Sequence, residues 1–557
     1  MAVNKTSSEI IGSSPGQKGN PVYLMALTLV ATLGGLLFGY DTAVVNGAEK
    51  SLVQFYIARI MDPGNLDYAL KIIAQYKIMV VMSFYLVVLI VSAQILKLLG
   101  KRRGFLISSI LLSILTIWVV TYLSSGISQT TEALKSYVDS VKGFTISSAL
   151  IGCIIGGATA GFISKAIGRK NGLIISALAF SLSAIGAWSP EKLNFFGTLP
   201  VFSFVIYRII GGIGVGLASM LSPMYIAEIA PANVRGKLVS WNQFAIIFGM
   251  LVIYFVNLVI TRSGNENWLT TEGWRWMFFS GLIPSVLFLI LLFFVPETPR
   301  YLVLKGKEDK ALKVLKKISG ESDALYILQE IKDTLHEKSS PWLSYGSLLI
   351  FIGIMLSVFQ QFVGINVVMY YAANIFRNMG SSIDSSMIQT IIVGMVNMVF
   401  TVLAIMTVDR FGRKPLMIIG GFGMAISMIA LGFSFYYGNS GILALVFMLT
   451  YTAAFAMSWG PVTWVLLSEI FPNSVRSAMS ISVAAMWIAN LIISWTFPML
   501  NDNIALTARF NHGFAYWIYG VMGIFSALFI WKLVPETKNK TLEEIEKLWH
   551  KKNAASN

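Results

Sequence analysis

The chain has 557 residues, of which 56% are hydrophobic and only 12% charged, and its formal net charge is +15. Soluble domains carry about 25% charged residues, and long unbroken apolar runs exclude both a soluble multidomain protein and an alternating membrane β-barrel. The basic balance does not point to nucleic acid, because Lys and Arg gather in short loops between the runs, the positive-inside pattern of membrane proteins.

In chain order, residues 1–23 form a polar tail with no short apolar segment of the cleaved-signal type. Apolar runs follow near 24–46, 78–98, 105–123, 144–164, 172–189, 201–222, 239–260 and 276–295. Segment 297–343 is charged, with Leu325, Leu328, Ile331 and Leu335 at helical spacing. It is predicted to form amphipathic helices on the cytoplasmic surface. Further runs lie near 345–371, 385–408, 415–437, 441–466, 478–498 and 514–533, before a tail at 535–557. Each run is close to the ~20 residues that cross a bilayer as a helix. Fourteen spans put both termini on one side, and their basic residues place that side in the cytoplasm.

Three phrases recur. Glu228-Ile-Ala-Pro-Ala-Asn-Val-Arg235 returns 241 positions later as Glu469-Ile-Phe-Pro-Asn-Ser-Val-Arg476. Gly168-Arg169-Lys170 returns as Gly412-Arg413-Lys414, and Pro296-Glu297-Thr298 as Pro535-Glu536-Thr537. One shared offset makes the chain two related halves, 24–296 and 344–534, with 297–343 between them. Phe38 to Gly168 spans 130 residues, whereas the matching stretch, Phe362 to Gly412, spans 50. The excess fits two extra spans at about 77–123, turning at Gly100-Lys101-Arg102-Arg103-Gly104.

Charge inside a span is expensive and marks function. Asp41 lies late in the first span, and Arg208 is the candidate cation for it. The pair reads either as a coupling device that takes up a proton or as a permanent ion pair; alternatively, Asp41 sits at the water boundary. Gln360, Gln361, Asn366 and Tyr370 cluster around Gly364, which is expected to let its helix bend. Gln243 and Asn397 are further amides within spans. Amides both donate and accept hydrogen bonds, as sugar hydroxyls do, and Trp459, Trp464 and Trp487 offer flat faces to a sugar ring. The other reading of these amides is interhelical polar contact. The run Gly211 to Gly216 lacks the strand and loop of a dinucleotide site and reads as close helix packing. Cys153 is alone, so no intrachain disulfide forms. No metal set or nucleophile–base arrangement is present, so an enzyme is not expected. Glu228 and Glu469 are expected to pair with Arg169 and Arg413, or with Arg235 and Arg476, in a cytoplasmic latch that joins the halves while the site faces outward and breaks on inward opening.

These phrases, with Asp409-Arg410-Phe411-Gly412-Arg413-Lys414 and Pro296-Glu297-Thr298-Pro299-Arg300, resemble the sugar porter family of the major facilitator superfamily, most nearly its bacterial D-xylose–proton symporters. The resemblance covers nearly everything except roughly 50–142, the termini and part of the central segment. It implies an all-α membrane protein of two six-helix bundles related by a pseudo-twofold axis, here with the inserted hairpin. It implies proton-coupled uptake of a small neutral sugar by a monomer in the inner membrane, with no cofactor beyond the proton. By the same resemblance Asp41 carries the proton and Arg208 is its partner. Gln243, Gln360, Gln361, Asn366 and Asn397 match sugar-contacting amides, with Phe38, Tyr370, Trp459 and Trp487 at stacking or gating positions. Met486, Met250 and Ala166 depart from the family's Gln or Asn, Gln and Arg. The hairpin has no counterpart in the usual twelve-span pattern. The alternatives are a passive or proton-coupled hexose carrier (glucose, galactose or arabinose) and a non-transporting sugar receptor.

Overall fold

The computed structural model describes residues 19–335, 341–438, 441–472, 475, 478–538, 544, 545, 547 and 549. Among these, thirteen helices are long and apolar enough to cross a membrane: α1 (Pro21–Met61), α2 (Leu66–Ser124), α3 (Thr131–Ile167), α4 (Arg169–Trp188), α5 (Pro200–Ile229), α6 (Val234–Arg262) and α7 (Glu266–Phe294) in the first half, then α8 (Ser347–Asn378), α9 (Ile383–Val408), α10 (Arg413–Tyr436), α11 (Ile442–Ile470), α12 (Met479–Asn501) and α13 (Phe514–Leu533). The boundaries obey local chemistry. Asn20 caps α1 by accepting the Val22 and Tyr23 amides ahead of Pro21, Thr130 caps α3, and Asn265 caps α7.

Helix α2 is two passes. Its backbone breaks at Gly100 (φ 77°, ψ 170°), and contacts pair residues on either side of that point. Lys77 Nζ donates to the carbonyls of Tyr122 (3.3 Å) and Ser125 (2.7 Å), Tyr85 and Thr116 share a hydrogen bond of 3.2 Å, and the Phe84 and Trp118 rings lie 5.1 Å apart. The arms are therefore antiparallel, and the expected inserted hairpin forms. Its turn repeats the backbone of Gly168 (φ 101°, ψ 173°) and Gly412 (φ 88°, ψ 159°), each also followed by two basic residues. Only glycine adopts this conformation without strain, which otherwise costs about 1–3 kcal/mol. Gly100→Ala should lower the unfolding midpoint of the purified protein by a few degrees and leave sugar affinity unchanged; an unaltered midpoint would mean the turn relaxes freely. One face of the hairpin meets the bundles through Tyr76 on Phe144 and Phe84 on Trp495, while Met82, Phe105 and Ile117 are more than 60% exposed, as lipid-facing residues are.

Helices α3 and α5 pack closely through the glycine run. A carbon added at Gly212 would fall 1.8 Å from the Ala149 carbonyl oxygen, and Gly216 is similarly pressed against Cys153. The packing reading of that motif holds, and Cys153 is fully buried. Between the halves run three short helices, Pro299–Leu304, Glu308–Ser319 and Glu321–Leu335. The middle one buries Ala311, Val314, Leu315 and Ile318. The third buries Ala324 and Leu328, but Leu325 points to solvent, so its apolar face is rotated from the one expected. Asn20 N donates to the Lys317 carbonyl, so the start of α1, the central helices and the Gly-Arg-Lys turns share one end of the molecule.

Candidate functional site: a buried ion pair and an amide cluster between two halves

Arg208 on α5 reaches Asp41 on α1, with Nη1 to Oδ1 at 2.7 Å and Nη2 to the Asp41 carbonyl at 3.0 Å. The arginine side chain is 2% exposed and the aspartate 16%. The Phe278 ring lies 5.1 Å beneath the guanidinium. Asp41 Oδ2 and Arg208 Nε have no partner among the described residues. A cleft lined by Leu37, Tyr40, Val44, Phe180 and Phe278 reaches the carboxylate. The pair is thus buried and desolvated, yet half of its hydrogen-bonding capacity on the acid is unused. Such a carboxylate can exchange its arginine for a proton without dismantling a larger network.

The amide cluster is built on broken helices. Gly364 is left-handed (φ 92°, ψ 15°) and splits α8, as its sequence position implies. The Val363 carbonyl freed there accepts from the Tyr451 hydroxyl at 2.8 Å. Helix α11 breaks at Ser458. Gln360 donates to the Trp459 and Gly460 carbonyls at 3.0 and 3.3 Å, so in this conformation it joins two broken helices. Gln361 donates to Gln360 Oε1 and accepts from Asn366. Asn397 Nδ2 lies 3.9 Å from Met369 Sδ, and Gln243 is half-buried.

Phe38 of the first half and Trp487 of the second meet with ring centroids 5.6 Å apart. Trp487 Nε1 is buried without a partner, a donor aimed at nothing in the described protein. The Tyr370 hydroxyl accepts weakly from Asn490 Nδ2 at 3.5 Å. Asn490 was missed in the sequence, although it is the one amide in the middle of the α12 run. Trp459 does not join this set. It is fully buried, and its Nε1 donates to the Met417 carbonyl at 2.9 Å, so neither ring face is open to a ligand here.

The recurring loop phrases form two matching clamps. Glu228 accepts from Arg169 Nε and Nη2 at 3.1 and 2.7 Å and from Thr298 Oγ1 at 2.6 Å. Glu469 does the same with Arg413 at 3.1 and 2.7 Å and Thr537 at 2.6 Å. Glu297 and Glu536 accept the backbone N–H groups at the starts of α4 and α10. Burial pushes the Glu297 carboxyl up despite the N–H groups of Thr298, Lys170 and Arg169. Burial also acts upward on Glu536, but the N–H groups of Lys538, Lys414, Arg413 and Thr537 outweigh it and hold that carboxyl low. The expected Glu–Arg pairs are present, but each closes within its own half. They do not bridge the halves, because Arg169 and Glu228 follow each other on adjacent helices of one bundle. Arg235 Nε turns instead to the Ala230 carbonyl at 3.3 Å, and Arg476 lies outside the described residues.

Bonds that do join the halves collect at the opposite end. Asn46 donates to the Met369 carbonyl at 2.8 Å and accepts the Ala373 amide. The Tyr254 hydroxyl donates to the same Met369 carbonyl at 3.0 Å. Lys142 lies between Glu49 (2.8 Å) and Asp502 (2.9 Å), and Asn374 donates to both Glu49 oxygens. Arg262 pairs with Asp384 at 2.6 Å. Burial acts upward on the Asp502 carboxyl, but Lys142 outweighs it and holds the acid below the usual carboxylate range.

Against known proteins, residues 27–134 and 118–549 match the family model described as "Sugar (and other) transporter". The D-xylose-proton symporter of Escherichia coli (strain K12) is 51% identical over 544 residues, which cover 95% of this chain and 96% of that protein. The glucose facilitated diffusion protein of Zymomonas mobilis is 40% identical over 415 residues, covering 74% of this chain and 88% of the relative. Among solved structures, the inward open conformation of the xylose transporter XylE from E. coli superposes with a TM-score of 0.72 at 48% identity, covering 94% of this chain and all of that one.

Proposed function

Because the chain belongs to the sugar transporter family and is a multi-pass membrane protein, we propose that it carries a monosaccharide, D-xylose first among candidates, together with a proton by alternating access. The observation that carries this reading is the desolvated Asp41–Arg208 pair with its unused carboxylate oxygen, in a chain half identical to a D-xylose–proton symporter. The end bearing the Gly-Arg-Lys turns and the start of α1 faces the cytoplasm of an inner membrane, in keeping with its basic loops. The closed end is then the outer one, and the conformation described is the one that has turned its site inward.

In the proposed cycle Asp41 takes a proton from outside and releases Arg208. Sugar hydroxyls bind Gln243, Gln361, Asn366, Asn397 and Asn490, and the ring lies against Phe38, Tyr370 and Trp487. The bundles rock and the outer seam closes. Loss of the proton inside restores the pair and weakens sugar binding. Gln360, spent on the backbone of α11, holds the amide platform rather than reading the sugar. The protein acts as a monomer, since each chain holds both halves of the site.

The test is flux in proteoliposomes. Labelled D-xylose should accumulate against its gradient when an inward proton gradient is imposed, with the bath becoming alkaline in step. Downhill sugar flux with no proton movement would favour the passive reading, which the similarity to a glucose facilitator keeps open. No flux of any of D-xylose, D-glucose, D-galactose or L-arabinose would overturn transport itself. Trp487→Ala should weaken D-xylose binding by about tenfold or more, since losing a stacked ring and an indole donor removes on the order of 1–3 kcal/mol. Titration calorimetry on the purified variant checks it.

A further inference from the structure

Three turns of one kind occur in the chain, and two of them hold an acid. At Gly168 and Gly412 the glycine has positive φ, two basic residues follow, and a new helix begins. At each, the two N–H groups after the glycine donate to one carboxylate. Arg169 N and Lys170 N reach Glu297 at 3.1 and 3.2 Å, and Arg413 N and Lys414 N reach Glu536 at 3.2 and 2.9 Å. Gly100 (φ 77°, ψ 170°) repeats this backbone ahead of Lys101 and Arg102, where the second arm of the hairpin begins. Here the acid is missing. No Asp or Glu lies between Asp67 and Glu132, and Asp67 is taken by Lys71 at the far end of the first arm.

Lys97, Lys101, Arg102 and Arg103 are all exposed, and none pairs with a carboxylate among the described residues. From Lys77 to Gly100 the first arm runs about 35 Å at ~1.5 Å per residue, against ~30 Å for the hydrocarbon core of a bilayer. The two ends of the hairpin therefore reach opposite faces of the membrane, and the turn lies among headgroups. Leu96, Phe105 and Leu106 beside it are exposed apolar residues. A ligand that carries its own acyl chains suits them, and free phosphate does not. Four cations without a counter-charge favour a headgroup of net negative charge over a zwitterionic one.

We propose that the Gly100 turn binds the phosphate of an anionic phospholipid in the cytoplasmic leaflet. The N–H groups of Lys101 and Arg102, with the side chains of Lys101, Arg102 and Arg103, hold it where Glu297 and Glu536 stand at the sister turns. The lipid pins the inserted hairpin to the inner face of the membrane. The inference stands on the three turns and their charges, and does not depend on which sugar is carried or on proton coupling.

The experiment is native mass spectrometry of the purified protein titrated with phosphatidylglycerol or phosphatidylcholine of the same chain length. Wild type should bind phosphatidylglycerol at least about tenfold more tightly, since each basic residue at a headgroup contributes roughly fivefold. Lys101→Gln/Arg102→Gln/Arg103→Gln should lose most of that preference. Lys310→Gln/Lys313→Gln, which removes two exposed cations from the central helices, should keep it, and excess inorganic phosphate should not displace the lipid. Sugar binding by each variant establishes that it is folded, and Arg102→Gln alone, with a smaller loss, serves if the triple variant is not. Equal binding of the two lipids by wild type overturns the proposal, as does an undiminished preference in the folded triple variant. An equal loss in Lys310→Gln/Lys313→Gln would assign the preference to charge spread over the whole face, and displacement by inorganic phosphate would make the ligand a free anion; either result overturns it too.

Discussion

Asp41→Asn should still exchange sugar across the membrane but should no longer concentrate it. The asparagine oxygen can keep its place 2.7 Å from Arg208 Nη1, and Arg208 keeps the carbonyl at residue 41 through Nη2, so the local fold survives. What disappears is a group that changes charge as the carrier changes its facing. One proton of driving force supplies ~2.3 kcal/mol per 100 mV, and at ~1.4 kcal/mol per tenfold this sustains about 50-fold accumulation. In the variant that ratio should fall to about one, a loss of on the order of 50-fold at this potential. Counterflow of labelled sugar between equal pools should persist. Measured in the same vesicles, full accumulation by Asp41→Asn would remove Asp41 from coupling. Loss of both accumulation and counterflow would make the pair structural.

The second large effect is expected at the outer seam. Lys142→Met leaves Glu49 and Asp502 facing each other in buried surroundings without their shared cation. Removing one partner of a buried ion pair costs about 3–5 kcal/mol, because the remaining charge is uncompensated. That cost falls on the closed outer end alone, since water reaches both acids once the seam opens. A shift of ~3 kcal/mol changes a two-state ratio by roughly a hundredfold. The variant should rest open to the outside, read as faster labelling of a single cysteine placed in the outer cleft. Adding Glu49→Gln should recover much of the loss, and unchanged labelling in the single variant would show that Lys142 is not holding the seam.

The pH dependence of the wild-type seam follows from Asp502. Lys142 holds that carboxyl below the usual carboxylate range despite its burial. Its contribution is therefore complete above the ordinary carboxylate range and is lost as pH falls through the lowered value. Acid should loosen the outer closure of wild type only well below neutrality. In Lys142→Met, acid should instead help, because protonation neutralises the two opposed carboxylates.

Much of this architecture was legible in the chain. The common offset of three phrases gave two halves, and the 130-residue stretch against its 50-residue counterpart gave the hairpin. Asp41 and Arg208 stood out because charge is rare in apolar runs, and Gly364 because glycine is costly inside a helix. Matching phrases say which residues are equivalent, not which are neighbours: the latch is expected between the halves while the site faces outward, and in the inward-turned conformation described each Glu–Arg pair closes within its own bundle. Equivalent loops in two bundles each found partners at home. The true seam was hidden for a related reason. Glu49, Lys142, Asn374 and Asp502 lie at the ends of their runs, where charge is unremarkable, and up to several hundred residues apart. Only the packing of α3 on α12 brings Lys142 to Asp502. The orientation of Trp459 was missed although its break at Ser458 is marked in the chain, since Gly460 and Pro461 follow directly and Pro461 has no N–H to bond back across the break.

The twin clamps at the Gly-Arg-Lys turns carry a consequence for how the machine moves. Since each is complete inside one bundle, neither has to be undone when the bundles change their relative tilt. They act like brackets bolted to separate plates, keeping each plate stiff while the joint between them flexes. The polar contacts that have to part for the outer end to open then lie at the far rim, and damage to a bracket should show as a poorly assembled protein rather than as a slow one.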